Sequence, residues 1–153
     1  MAAEPIFLDT SVIVPASVEV HPSHAAATTY VQSLVADAVP LCLSPQVCRE
    51  FMVVLTRQPV SGRSFTVDEA LNVLERWRSG CALLEETDAA FVEWLRLVRK
   101  HQVQGKQAHD CNIVAVMLAH GIRRLATRNE SDFARYADEI RVETVSARTA
   151  GAP

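Results

Sequence analysis

The amino-acid sequence predicts an α/β protein: a three-layer α/β/α sandwich with a central, mainly parallel sheet. Two observations carry this. Short apolar runs of strand length lie at 5–8, 40–43, 81–84, 123–127 and 140–145, and longer stretches with helical periodicity separate them. Strands that alternate with helices pair in parallel, because each intervening helix carries the chain back along the sheet. A third observation concerns chemistry. The polar residues at strand ends and helix starts are mostly acids and hydroxyls.

The totals agree with one globular domain. A chain of 153 residues, 49% hydrophobic and 22% charged, can bury a real core. The formal net charge of −3 lacks the basic excess typical of nucleic-acid binders. An acidic site can nevertheless hide a local basic rim in that total. Cys42, Cys48, Cys81 and Cys111 show no CxxC or zinc-like spacing and read as reduced thiols of a cytoplasmic protein. No signal peptide is evident, and no apolar run reaches the roughly 20 residues of a membrane span.

The first strand, Pro5 to Leu8, ends in Asp9, Thr10 and Ser11. An apolar run wants burial and a carboxylate does not, so Asp9 marks the carboxyl end of the strand. Ligands of open α/β sheets bind at that end. Val12-Ile13-Val14 continues the apolar run, and Pro15 interrupts it. His21-Pro22-Ser23-His24 reads as a turn. Its H-x-x-H spacing comes with no third ligand, and both histidines read as exposed residues at a helix start. Ser23 is the expected cap of a helix from Ala25 to about Ala36.

Pro40 to Leu43 is the second strand. Ser44-Pro45 then starts a helix to Thr56, with serine as N-cap and proline at the first position. Glu50 shares the apolar face of Val47, Phe51, Val54 and Leu55. A carboxylate there needs a basic partner or a metal. Pro59 and Gly62 mark a loop. Thr66 and Glu69 form a capping box for a helix running to about Arg78. The strand 81–84 follows, then a helix from Ala89 to about His101 capped by Thr87-Asp88. Its expected buried face is Phe91, Trp94, Leu95 and Val98, with Arg96, Arg99 and Lys100 opposite.

His109-Asp110 opens a helix, Cys111 to Ala119, that is apolar nearly all round and so belongs in the centre. Asp110 sits in its first turn, where the helix dipole favours negative charge. His109 reads as a hydrogen-bonding neighbour. The strand 123–127 ends in the polar turn Arg128 to Phe133, and a short helix is expected around 133–137. The stretch 140–145 alternates like an edge strand. The domain is expected to span 1–146, with 147–153 a flexible C-terminal tail.

No Gly-rich dinucleotide or P-loop signature is present. What the strand ends and helix starts offer instead is Asp9, Glu50, Asp110 and Asp132, with Asn129, Ser11 and Thr127 beside them. Carboxylates converging in one crevice repel each other. A hard divalent cation such as Mg²⁺ or Mn²⁺ relieves that repulsion through oxygen ligands. Such a cation can activate water and clamp a phosphate.

Four segments together resemble the PIN-domain nucleases, and most of all the VapC-type toxins of bacterial toxin–antitoxin pairs. They are Leu8 to Ser11, Pro45 to Phe51 around Glu50, His109 to Ala115 around Asp110, and Ala126 to Phe133. The resemblance covers nearly the whole chain. It implies a metal-dependent endoribonuclease, Mg²⁺ or Mn²⁺ at an acidic site, and cleavage of structured RNA such as tRNA or rRNA by metal-activated water. Asp9, Glu50 and Asp110 would be the core acids, with Ser11 and Thr127 orienting them. At the fourth corner many relatives carry aspartate where Asn129 stands. Others have the T-R-N-x-x-D-F pattern found here, which makes Asp132 the fourth acid and Asn129 a neutral oxygen ligand. The implied partners are a VapB-like antitoxin, a second copy in a homodimer, and operator DNA only through the antitoxin. Arg57, Arg63, Arg96, Arg99, Lys100 and Arg128 are candidate phosphate contacts. Two rival readings are a phosphotransferase with Asp9 as nucleophile, whose usual D-x-D is here broken by Ser11, and a catalytically weakened PIN-like RNA- or protein-binding module, favoured only by Asn129.

Overall fold

The structure, a computed structural model, describes residues 2–146. The predicted tail lies outside the described residues. The strands are β1 (Ile6–Leu8), β2 (Leu41–Leu43), β3 (Ala82–Leu83), β4 (Arg124–Thr127) and β5 (Arg141–Thr144). They form one sheet in the order β3-β2-β1-β4-β5, and every pairing is parallel. In the centre, Ile6 of β1 stands opposite Leu41 on one side and Arg124 on the other. All three residues of β1 are buried, which is why that strand reads as a continuous apolar run. The alternating strand, β5, is at the edge.

The helices are α1 (Thr10–Ser17), α2 (His24–Ala36), α3 (Pro45–Arg57), α4 (Val67–Gly80), α5 (Asp88–His101), α6 (Gln107–Ala119) and a short α7 (Glu130–Phe133), which runs into a 3₁₀ turn, Ala134–Tyr136. From β1 the chain steps outward to β2 and β3, then crosses back to β4. Right-handed crossovers therefore put α1 to α4 on one face and α5 and α6 on the other. The packing agrees: α1 meets α2 and α3, α3 meets α4, and α5 meets α6. The chain reverses its stepping direction between β1 and β4, so their carboxyl ends flank the switch point of the sheet.

Four expectations need correction. Val12-Ile13-Val14 belongs to α1 and does not prolong the strand. Thr10 and Val12 to Pro15 are all buried there, so no polar face remains to reveal a helical period. Ser23 does not cap α2 with its side chain; its hydroxyl accepts from Arg128 Nη2 at 2.7 Å. On α5 the buried residues are Ala90 and Leu97, with Trp94 and Val98 partly buried, whereas Phe91, Val92 and Leu95 are exposed. The expected stripe was rotated by a fraction of a turn. The short helix also begins earlier than expected, at Glu130. The caps at Ser44, Thr66 and Thr87 and the capping box to Glu69 are present. All four cysteines are free thiols.

Candidate active site

Asp9 follows the last residue of β1, and its backbone N–H donates to Ala126 O on β4 at 3.0 Å. The residue is 6% exposed. Two hydroxyls hold the carboxylate. Ser11 Oγ donates to Asp9 Oδ2 at 2.7 Å, and Thr127 Oγ1 donates to the same oxygen at 2.8 Å. Each hydroxyl has one proton, so both are spent on Asp9. Their lone pairs then accept from the backbone: Ser11 Oγ from Arg128 N, Thr127 Oγ1 from Asn129 N. The end of β4 is thereby stitched to the end of β1. Burial raises the pKa of Asp9 and Glu50 adds to the rise, while the hydroxyl bonds pull it back.

Glu50 projects from α3, half-buried. Thr10 Oγ1 donates to Glu50 Oε2 at 2.8 Å, and Gln46 Nε2 donates to Glu50 Oε1 at 2.9 Å. Gln46 also donates to His109 O at 2.9 Å and accepts from Asn112 Nδ2 at 2.7 Å. The two layers of helices are tied together at this point.

Asp110 lies in the first turn of α6. Among the described residues its carboxylate and that of Asp132 accept no side-chain hydrogen bond. The Asp110 carboxyl is pushed up to about 6, first by burial and then by Asp132, Asp9 and Glu50. The four acids stand close enough for Asp110 to feel the charge of the other three. They line one open cleft of about 640 Å³ with Ser11, Asn129, Gln46, His21 and His109, beside an apolar wall that includes Val14, Val53 and Phe133. Thr127 is fully buried behind Asp9. Arg49 and Arg128 also border the cleft, but Arg49 leans to Glu86 at 3.5 Å and Arg128 donates to Ser23. Neither is hydrogen-bonded to the four acids.

The structure thus gathers every sequence-predicted site residue at one edge. Of the candidate phosphate contacts, Arg128 borders the cleft; Arg96 and Lys100 are instead bound by Glu93, Asp138 and Glu139, and Arg57, Arg63 and Arg99 lie off the cleft. Gln46, Asn112 and Arg49 were given no role from the sequence, and Thr10 none beyond its place at the strand end. For Gln46 a signal existed: it stands four residues before Glu50, one helical turn away on the same face.

The donors suit a hard cation. They are all oxygen, they face one open cleft, and among the described residues no basic side chain is hydrogen-bonded to them, His109 alone lying close enough to Asp110 to offset part of the repulsion. A different trio, His101, Asp138 and Glu139, brings its ligand atoms closer together, within 4.8 Å. There the oxygens are already taken: Lys100 Nζ lies 2.6 Å from Asp138 and 2.8 Å from Glu139, and Arg96 grips Glu139.

A parallel α/β/α sandwich with an acidic cleft at its switch point defines a class of protein that family comparison makes specific. The PIN domain model matches residues 6–139, and the chain belongs to the PIN-domain family. The fold is also that of solved toxin–antitoxin proteins. VapBC2 from Rickettsia felis, bound to a DNA fragment from its promoter, superposes with a TM-score of 0.67 at 17% identity, covering 92% of this chain and 98% of that one. DNA-bound VapBC from Salmonella typhimurium gives 0.66 at 18%, covering 94% and 99%. Mycobacterium tuberculosis VapC20, described as a Sarcin-Ricin loop cleaving toxin, gives 0.61 at 22%, covering 84% and 93%. No curated protein sequence matches the chain.

Proposed function

We propose that this PIN-domain protein is a Mg²⁺- or Mn²⁺-dependent endoribonuclease, the toxin of a type II toxin–antitoxin pair, cutting structured RNA in the cytoplasm. The observation that carries the reading is the acidic cleft: four carboxylates at one edge, with Asp110 raised first by burial and then by the other three, and no base hydrogen-bonded to them among the described residues. Asp9, Glu50, Asp110 and Asp132 would hold the cation, with Asn129 as a neutral oxygen donor at the rim. A divalent ion bound there supplies Lewis acidity, making water a better nucleophile and offsetting charge on the phosphate.

The chain's own residues do the rest. Ser11 and Thr127 fix Asp9 by one oxygen and leave the lone pairs of the other unspent on them. Thr10 and Gln46 fix Glu50. Arg49 and Arg128, at the border of the cleft, are placed to meet backbone phosphates that enter it. Substrate type and partners follow by analogy with the toxins of the same fold: tRNA or rRNA, a VapB-like antitoxin, and a homodimer. Among the described residues no helix is long and apolar enough to cross a membrane.

The test is cleavage of total RNA by the purified chain with Mn²⁺, with Mg²⁺ and with chelator, beside Asp9→Ala. Metal-dependent cleavage that Asp9→Ala abolishes is expected, together with growth arrest on induction that the variant relieves. Tight RNA binding with no turnover under any metal would instead mean a binding module, and equal arrest from both proteins would place toxicity outside the cleft.

A further inference from the structure

Glu50 is the one acid of the cleft that a side-chain amide holds. Gln46 is 6% exposed, and every hydrogen-bonding capacity its amide uses is assigned by its neighbours. The Glu50 carboxylate and the His109 carbonyl are acceptors, so Gln46 must turn its NH₂ to both and its oxygen to Asn112. Asn112 must then donate. The amide has one orientation, and with Thr10 on the opposite oxygen it leaves Glu50 one as well. A glutamate on a half-exposed helix face would otherwise sample several rotamers and lose that entropy on binding a ligand. The same amide ties α3 to the first turn of α6, where Asp110 stands two residues before Asn112. One side chain therefore touches both the Glu50 carboxylate and the helical turn that carries Asp110.

We propose that Gln46, backed by Asn112, is a positioning residue that presets the Glu50 carboxylate, and its separation from Asp110, for a divalent cation. The proposal rests on the cation-dependent nuclease reading above. Gln46 touches neither cation nor RNA; it acts through Glu50. Outer partners of ligating carboxylates typically govern metal affinity about 10- to 100-fold, and that is the scale assigned to it.

Asn112→Asp gives the sharpest test. An aspartate at 112 offers only acceptors, so Gln46 must turn its NH₂ from Glu50 and His109 O to residue 112 and its oxygen to Glu50 and His109 O, oxygen facing oxygen. An added negative charge near the cleft would by itself tighten cation binding; the positioning role requires that binding weaken. Mn²⁺ is titrated calorimetrically into the full chain, Gln46→Leu, Asn112→Asp and Asp9→Asn, with thermal unfolding as the check on folding and RNA cleavage followed against Mn²⁺ concentration. The expected result is a half-saturating Mn²⁺ concentration raised about tenfold in Gln46→Leu and Asn112→Asp, with cleavage recovered at high Mn²⁺. If Gln46→Leu fails to fold, Asn112→Asp decides. Binding as in the unsubstituted chain, or tighter, overturns the positioning role, provided that Asp9→Asn abolishes the binding. An unsubstituted chain that takes up no Mn²⁺ and cuts no RNA overturns the nuclease reading and this proposal with it.

Discussion

At the carboxyl edge of the sheet, Asp9, Glu50, Asp110 and Asp132 face one cleft, and among the described residues no base is hydrogen-bonded to them. On the flank of α5, Asp138 and Glu139 meet Arg96 and Lys100 in direct ion pairs. The residue types are the same and the electrostatics are opposite. In the cleft, burial and like charge push Asp110 up to about 6 and raise Asp9. On the flank, the hydrogen bonds of Arg96 and Lys100 pull Glu139 down to about 2, and that of Lys100 lowers Asp138. The difference teaches how to tell the two roles apart. Acids that serve the fold carry their cation in the same chain. Acids left at a switch point without one are kept at a cost to the fold, which is the position of a site that takes up its cation from solution, as proposed for this cleft.

The contrast breaks or holds most visibly on activity. Asp110→Asn is expected to lower metal-dependent RNA cleavage on the order of 10³-fold, the scale of losing a member of an interdependent catalytic set. The same substitution should leave the metal-free protein no less stable, and raise its Tm by about 2–4 °C if relief of repulsion is worth about 1 kcal/mol after discounting for solvent screening. Calorimetry beside a single-turnover cleavage assay reads both. A fall in Tm with activity intact would erase the distinction between the clusters.

Glu139→Ala should do the reverse. It leaves Arg96 and Lys100 short of their shared acceptor. A loss of about 1–2 kcal/mol, between an exposed pair and a charged hydrogen bond, is expected in denaturant unfolding, with kcat unchanged.

The two clusters also pull the pH dependence of stability in opposite directions. Asp110 moves from 3.8 to about 6 on folding. Within that window the folded chain binds a proton that the unfolded chain has released, so stability falls as pH rises through it. Glu139 moves from 4.5 to about 2. There the unfolded chain binds the extra proton, so stability falls as pH drops. From these groups the metal-free protein should be most stable near pH 4–5 and lose stability towards neutrality. Saturating Mn²⁺ should remove the loss on the neutral side, because a cation that binds only the folded chain favours the ionised acids. A Tm that climbs steadily from pH 4.5 to 7 without metal would show that the cleft acids are not strained.

Much of this contrast was legible in the sequence, and for identifiable reasons. The five strands and most caps follow from local chemistry: an apolar run buried on both faces, a serine before a proline, a threonine three residues before a glutamate. Asp9, Glu50 and Asp110 each had a bland explanation, an ion pair for Glu50 and a dipole-stabilising or capping role for Asp110, and only their combination at strand ends and helix starts pointed to one cleft. The helix α1 was not legible, since a helix buried nearly all round shows no period. Phe91 and Leu95 were misassigned to the buried face because α5 offers apolar residues on most of its circumference, and only packing against α6 decides which are covered. Gln46 and Asn112 escaped for another reason. They come from helices on opposite faces of the sheet, 66 residues apart, and an amide announces its role only through partners that folding supplies.

The fourth corner of the cleft gives the smallest effect and the finest discrimination. Asn129 lines the cleft beside the exposed Asp132, and its backbone N–H is committed to Thr127. Its side chain contributes no charge where an aspartate would add a fifth acid. Asn129→Asp should therefore lower the stability of the metal-free chain by about 0.5 kcal/mol, the scale of an exposed like-charge contact. By the same repulsion it should tighten Mn²⁺ binding, by a few-fold if the contact energy converts at about 1.4 kcal/mol per decade. The opposite signs of the two changes are the point. A side chain that belonged to the fold alone, as Glu139 does, would not move cation affinity. If Asn129→Asp leaves Mn²⁺ affinity unchanged, position 129 lies outside the cation's reach, and Asp132 supplies the fourth corner by itself.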